Sequence, residues 1–404
     1  MISEMIQDYD ELPRKVVLFH ETLVNPGGAE RLFVEEYKFL KRQGIQTNVI
    51  TFDSYNQQAL HGIAIPELEV LQRHNLLDGL LKLRKRLLVI KPDIVVTACG
   101  LRDLYLATRG TKLRYLLHLH EPPFKWFLEY KPILYSFMRR GAIKDIQNSS
   151  FYAFSDDLSL VKHIRNRSRT ELESILDALA IRGARRITVL SSQAAMEVMG
   201  LYGREAMVVR GAISADSFTS GSFSDSEALR FSPDGKSIIL SISRLDKEKR
   251  MDMIVRAFAK LVRNYPDVLL RIGGVGAEEK NLKKLARDLA LEKQVLFLGY
   301  VPVETLRAYY QACDVFVVAQ RADFNISLYE ALALNRKVVC SVETEIEPEI
   351  LSSGLVFQAK PTVEDYAATL YRALTSAEHI VPDLSNLTWE NYFRCSLAYP
   401  EAVM

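Results

Sequence analysis

The sequence predicts an α/β protein made of two doubly wound, Rossmann-like domains. Three observations carry that expectation. Strand-length apolar runs alternate with amphipathic helical stretches along most of the 404 residues. The runs are apolar throughout rather than alternating, which marks strands buried on both faces and hence parallel sheets. The series pauses once, at 214–236 (SADSFTSGSFSDSEALRFSPDGK), where serine, glycine and aspartate dominate.

The elements follow in order. Residues 1–14 form an acidic tail, and strand 16–19 (VVLF) comes first. A loop from His20 to Ala29 leads into helix 30–43, which sets Leu32, Phe33, Tyr37 and Leu40 on one face and stops at Gly44. Further strands read at 48–52, 93–98 (after the Lys91-Pro92 break), 114–119, 187–190 and 207–209, closing a domain over 15–213. Beyond the 214–236 linker a second series runs 237–243, 268–274, 295–299, 314–318, 337–341 and 354–357, giving a domain over 237–384. Residues 385–404 read as a helix whose aromatic face, Trp389, Tyr392 and Phe393, packs back onto the first domain.

Composition narrows the class. Apolar residues make up 48% and charged residues 25%, as in a globular protein with sizeable cores. A net charge of +2 argues against nucleic acid as a partner. Cys99, Cys313, Cys340 and Cys395 contain no CxxC pair and read as free thiols in a reducing compartment. The N-terminus has no apolar signal core, and no run approaches the roughly 20 residues of a membrane span. The expected location is cytoplasmic, with attachment to the inner face of a membrane as a variant.

In open parallel sheets, ligands bind beyond the carboxyl ends of the strands. The first such loop is Asn25-Pro26-Gly27-Gly28-Ala29-Glu30. Its glycines admit close approach of a phosphate or sugar, although a plain tight turn uses them too. The spacing is not GxGxxG, so a dinucleotide fingerprint is not met, even though Asp53 ends strand two as a ribose-binding acid would. At a later strand end, His118 and His120 share a face. His118 reads as a packing residue and His120 as a sugar ligand or proton carrier. A third ligand is lacking, so no metal is expected.

In Ser243–Arg250 (SRLDKEKR), Arg244 offers a planar fork and Lys249 a point charge for one diphosphate; a solvated basic loop is the alternative. Gly273-Gly274-Val275-Gly276 is a turn suited to close approach of a nucleotide, or only to turning. Residues 314–341 read as a βαβ unit whose helix begins near Asp323 or Asn325 and presents free N–H groups to an anion. Glu330, two turns in, bonds a ribose diol or faces solvent.

Together these residues resemble the retaining glycosyltransferases of family 4, which have the GT-B fold. The resemblance covers nearly the whole chain and is strongest from Ser241 to Glu349. ISRLDKEKRMDMIVRAFAKL is similar to the family's GRLxxxKGxDxLIxAF. ALEKQVLFLGYVPVETLRAYYQACDVFVVAQ is similar to VxFLGxVxxxELxxxYxxADVFVxPS. Gly27-Gly28-Ala29-Glu30 matches the GGAE loop, and His120-Glu121-Pro122 the HEP element.

The resemblance implies two domains facing across a cleft. It implies transfer of a sugar from a nucleoside-diphosphate sugar to an acceptor, with same-face attack, no protein nucleophile and no metal or other cofactor. Arg244 and Lys249 would neutralise the leaving diphosphate. Glu330 would bind the ribose, and N–H groups around Asn325, Ile326 and Ser327 would hold the diphosphate. Gly27 and Gly28 would lie beneath the diphosphate and acceptor, Gly274 near the nucleotide and His120 beside the donor sugar. Asp8-Tyr9-Asp10, a DxD in the tail, reads as incidental.

The chain departs from the pattern in four places. Ala322 stands where the first Glu of E-x7-E should touch the donor sugar, with Asp323 beside it as a substitute. Asn325 replaces a Gly, and Arg250 replaces the Gly after the lysine. Val342-Glu343-Thr344-Glu345 replaces a Gly-rich loop before Pro348-Glu349. A catalytically weakened binding subunit, favoured by Ala322, is therefore an alternative, as is another GT-B enzyme such as a nucleotide-sugar epimerase.

Two basic, apolar stretches, 76–91 (LLDGLLKLRKRLLVIK) and 123–140, mark the first domain. They suit an anionic membrane surface, and with it a lipid-linked acceptor, or else ordinary helices covering a sheet.

Overall fold

A computed structural model of the chain describes residues 12–24, 28–53, 55–56, 60, 63–120, 123–124, 139–149, 151–152, 167–213, 235–377 and 379–397. Most of the linker, the acidic tail and most of 123–140 lie outside these residues, as do Gly27 and Glu121-Pro122. The described residues fall into two units, divided at Gly211/Ala212 and again at Thr388/Trp389, with Phe151 and Tyr152 joining the second.

Among the described residues, the first unit contains seven strands: β1 (Lys15–His20), β2 (Gln46–Phe52), β3 (Leu68–Leu71), β4 (Ile94–Cys99), β5 (Tyr115–Leu119), β6 (Arg186–Val189) and β7 (Met207–Val208). They pair in the order β3-β2-β1-β4-β5-β6-β7, all parallel. The helices are α1 (Gly28–Arg42), α2 (Leu76–Ile90), α3 (Leu101–Thr108), α4 (Arg140–Gln147), α5 (Arg167–Gly183) and α6 (Ser192–Tyr202). Local chemistry sets their ends. The Asn75 side chain accepts the Asp78 N–H to start α2, and Lys91 leaves it in the left-handed region before Pro92. Ser191 caps α6 in the same way, and Gly203 ends it at φ +66.

The second unit contains β8 (Ser237–Ile242), α7 (Met251–Asn264), β9 (Val268–Gly273), α8 (Glu279–Asp288), β10 (Val295–Gly299), α9 (Val303–Gln311), β11 (Val315–Val317), α10 (Ile326–Ala333), β12 (Lys337–Ser341), the short α11 (Pro348–Leu351), β13 (Val356–Ala359) and α12 (Val363–Thr375). Its strand order is β10-β9-β8-β11-β12-β13, again parallel. Two buried clusters lie on opposite faces. One takes Ile239, Leu270, Val315, Val317 and Val339; the other takes Ile238, Leu240, Phe316, Val338 and Cys340. Successive residues of each strand thus enter different cores, which is why the strands read as unbroken apolar runs.

The last helix, α13 (Trp389–Leu397), belongs to the first unit. Trp389, Tyr392 and Phe393 are buried, and the Phe393 ring lies 5.4 Å from that of Phe39 on α1. Residues 385–388 stay with the second unit. The edge strand β3 has no counterpart in the sequence reading. Its four residues are all half-buried and carry no strong period.

Candidate functional site

Each sheet reverses its winding once. In the second unit the chain runs β8, β9, β10 in one direction and β11, β12, β13 in the other. β8 and β11 are neighbours, so the loops leaving their carboxyl ends flank the topological switch point, where open sheets take ligands. The loop after β8 carries Arg244 and Lys249, and the loop after β11 leads into α10.

Arg244 is 65% exposed and pairs with Asp246 at 2.9 Å. That is a surface ion pair which a ligand can displace at little cost. Lys249 ends a single 3-10 turn, Lys247–Lys249, and is half-buried. Arg250 follows at φ +49, a left-handed conformation that side chains disfavour.

The glycine turn lies against this loop. The Ser243 N–H bonds the Gly273 carbonyl, Leu245 bonds Val275, and Glu278 bonds the Leu245 carbonyl at 2.9 Å. A Cβ on Gly274 would stand 1.8 Å from the Ser243 carbonyl oxygen, and one on Gly276 would stand 2.5 Å from that of Leu245. The protein's own backbone therefore uses these glycines, a role distinct from the nucleotide approach expected of Gly274.

Helix α10 begins at Ile326, with Asn325 as its N-cap; the Asn325 side chain accepts the Leu328 N–H at 3.2 Å. The N–H groups of Ile326 and Ser327 belong to the first turn, which has no intrahelical acceptors. Asp323 and Asn325 are buried. Glu330, one turn into the helix, is buried, not solvent-facing, and accepts the Tyr310 hydroxyl at 3.1 Å. Ala322 forms a parallel bridge with Thr344, joining the two loops that depart from the family pattern.

In the first unit, Gly28 opens α1. His118 is buried, with Nδ1 2.6 Å from the Thr188 hydroxyl and Nε2 3.3 Å from Glu36, as befits a packing residue. The His120 ring stacks on it at 5.8 Å, and its Nε2 is 3.5 Å from the Tyr392 hydroxyl. Burial, then the nearby His118 and His20, push His120 down to about 3. A ring held neutral at pH 7 suits hydrogen bonding to a sugar hydroxyl. His20, at the end of β1, went unassigned in the sequence. It is buried against Phe33, and burial pushes it down to about 4. The Asp53 carboxylate holds the Arg73 Nε at 2.7 Å, so it has a structural partner in place of a ribose.

Comparisons with known proteins follow the same outline. Residues 225–381 match the family model Glycosyl transferases group 1. The GDP-mannose-dependent alpha-(1-6)-phosphatidylinositol monomannoside mannosyltransferase of Mycolicibacterium smegmatis is 34% identical over 92 residues, 23% of this chain and 24% of that one. The alpha-monoglucosyldiacylglycerol synthase of Streptococcus pneumoniae is 30% identical over 107 residues, 26% of this chain and 24% of the relative. The chain thus spans about a quarter of the length of these curated relatives. Among solved structures, Anabaena HepE in complex with UDP and glucose superposes with a TM-score of 0.64 at 18% identity, covering 94% of each chain. The lipopolysaccharide outer core galactosyltransferase WaaB gives 0.63 at 15% identity, over 94% of this chain and 97% of that one. Residues 225–381 are thus similar to the group 1 glycosyltransferases, and the chain has their GT-B fold of two Rossmann-like domains.

Proposed function

We propose that the protein transfers a sugar from a nucleoside-diphosphate sugar to an acceptor with retention of configuration. The observation that supports this best is the switch point of the second sheet, where Arg244, Lys249 and the N-terminus of α10 leave neighbouring strands. Two cations and oriented N–H groups counter the charge that builds on a leaving diphosphate. They supply that countercharge without a metal or other cofactor. Glu330 takes the ribose and His120 a donor hydroxyl.

The experiment is a thermal-shift screen of UDP-, GDP- and ADP-sugars, followed by transfer assays in excess chelator. A donor at 100 times its Kd stabilises by about 2.7 kcal/mol. One base should do so, and transfer should persist in chelator. No shift with any nucleotide overturns the proposal. Ala322 favours a second reading, a nucleotide-binding partner subunit. Stabilisation by nucleotide with neither transfer nor donor hydrolysis is its signature.

We further infer a lipid-linked acceptor on an anionic membrane surface, approached from the cytoplasmic side, as in glycolipid or envelope polysaccharide assembly. The relatives named for phosphatidylinositol monomannoside and glucosyldiacylglycerol support this. So does α2. It buries Leu83, Leu87 and Ile90, yet leaves Leu77, Leu81, Leu88 and Val89 exposed beside Lys85. An outer face of that kind fits an interfacial helix. Among the described residues, no helix is long and apolar enough to cross a membrane. The protein is expected to sediment with anionic vesicles at low salt, and the Leu77→Ser/Leu81→Ser variant to remain in solution. Absence of wild-type binding at any salt removes the membrane from the proposal.

A further inference from the structure

Three of the departures from the family pattern meet in space. Glu343, in the loop after β12, is fully buried. Its Oε1 accepts the Arg321 Nη2 at 2.9 Å. Its Oε2 accepts the Arg250 Nη1 and, at 3.2 Å, the Ser341 hydroxyl. Ser341 Oγ in turn accepts the Glu343 N–H at 3.1 Å. The same Arg250 nitrogen donates to the Ala319 carbonyl at 3.4 Å. On its other side, the Arg321 guanidinium carbon lies 4.5 Å from the centre of the Tyr152 ring. Burial pushes the Glu343 carboxyl up, but the hydrogen bond and charge of Arg250 and the charge of Arg321 outweigh it and hold it below the usual range.

The geometry spans three adjacent strands. Arg250 belongs to the loop after β8, one residue beyond Lys249. Arg321 belongs to the loop after β11, four residues before the Asn325 cap. The 342–345 loop is pinned by the Ala322–Thr344 bridge and by Thr344 Oγ1 donating to the Gln320 carbonyl at 3.3 Å. One carboxylate therefore joins the cationic half of the switch point to its helix half. Charge-assisted bonds in a buried setting resist displacement. The left-handed backbone at Arg250 is held by its side chain, where other chains would use a glycine.

We propose that Glu343 is a positioning residue for the donor diphosphate. Through Arg250 it fixes the loop of Arg244 and Lys249. Through Arg321 it fixes the entry to α10. It thereby sets the spacing between the two halves of the site. This rests on the transferase reading above.

The test compares nucleoside diphosphates with monophosphates (UDP, GDP and ADP against UMP, GMP and AMP) by titration calorimetry. Wild type is set beside Glu343→Gln and Arg250→Gly. Glu343→Gln keeps the shape and removes the charge; Arg250→Gly removes the cation and suits the left-handed backbone, and only variants that unfold cooperatively are compared. Both variants should lose diphosphate affinity by about 10- to 100-fold, because small misplacements of binding groups carry losses of that order. Monophosphate affinity should stay within about threefold, a selectivity that general loosening of the fold would not produce. Wild type that binds diphosphate, with folded variants that bind it equally well, overturns this inference alone. Wild type that binds none of the six nucleotides overturns the transferase reading and this inference with it.

Discussion

An Arg244→Ala variant is expected to lose about 100- to 1000-fold in kcat, the usual effect of removing one preorganised group that stabilises developing charge. Its thermal midpoint should not move. Arg244 is 65% exposed and its ion pair with Asp246 lies at the surface, where such pairs contribute about 0–1 kcal/mol. The two readouts together discriminate. Lost activity at unchanged stability assigns Arg244 to the reaction. Unchanged activity in a folded variant removes it from the site and weakens the claim that the β8–β11 switch point binds diphosphate. Steady-state kinetics at saturating donor, beside an Arg109→Ala control on the exposed turn after α3, provide the measurement.

Gly274→Ala is expected to be the most damaging single methyl addition in the second unit. The residue sits at φ +124, and a Cβ there would overlap the Ser243 carbonyl oxygen at 1.8 Å. The backbone conformation contributes about 1–3 kcal/mol of strain, and forced displacement of a packed neighbour about 1–3 kcal/mol more. A total of about 2–6 kcal/mol rivals the stability of a typical domain. Gly44→Ala is the matched control. It also has positive φ, at +70, but nothing stands within 4 Å of the added atom, so only the roughly 1–2 kcal/mol of the left-handed region applies. Urea midpoints of the two variants should differ clearly. Equal values would mean that the loop of Arg244 yields without cost.

Much of this fold was legible because burial on both faces writes itself into the sequence. Strands such as β8 (SIILSI) and β12 (KVVCS) carry unbroken apolar runs, and Asn325 has the side chain a helix cap requires. β3 was not legible, since an edge strand half-buried throughout gives no clean signal. Where one loop suffices the candidate residues were legible together, as with Arg244 and Lys249, which both lie in the loop after β8. It was not readable where partners come from distant loops. Nothing local links Arg250 to Glu343, which are 93 residues apart. The burial of Glu330 beneath Tyr310 also depends on how α9 and α10 pack, which helical periodicity alone does not settle. The use of Gly274 by Ser243 was hidden for the same reason: a glycine announces close approach without naming what approaches.

The return of α13 to the first unit has a bearing on how the polypeptide comes to be folded. Ribosomal synthesis delivers the chain from one end, and domains generally fold as they emerge. The first unit cannot follow that order to completion. Phe39 on α1 meets Phe393, which is buried beneath Trp389 stacking at 5.8 Å. Gln43 at the end of α1 bonds Glu390. These partners leave the ribosome only after the whole second unit has been made. Until then α1 shows an aromatic-lined face to solvent or to a chaperone. The second unit, by contrast, has all six of its described strands in one continuous stretch and is free to fold first, so the half made earlier is the half finished last.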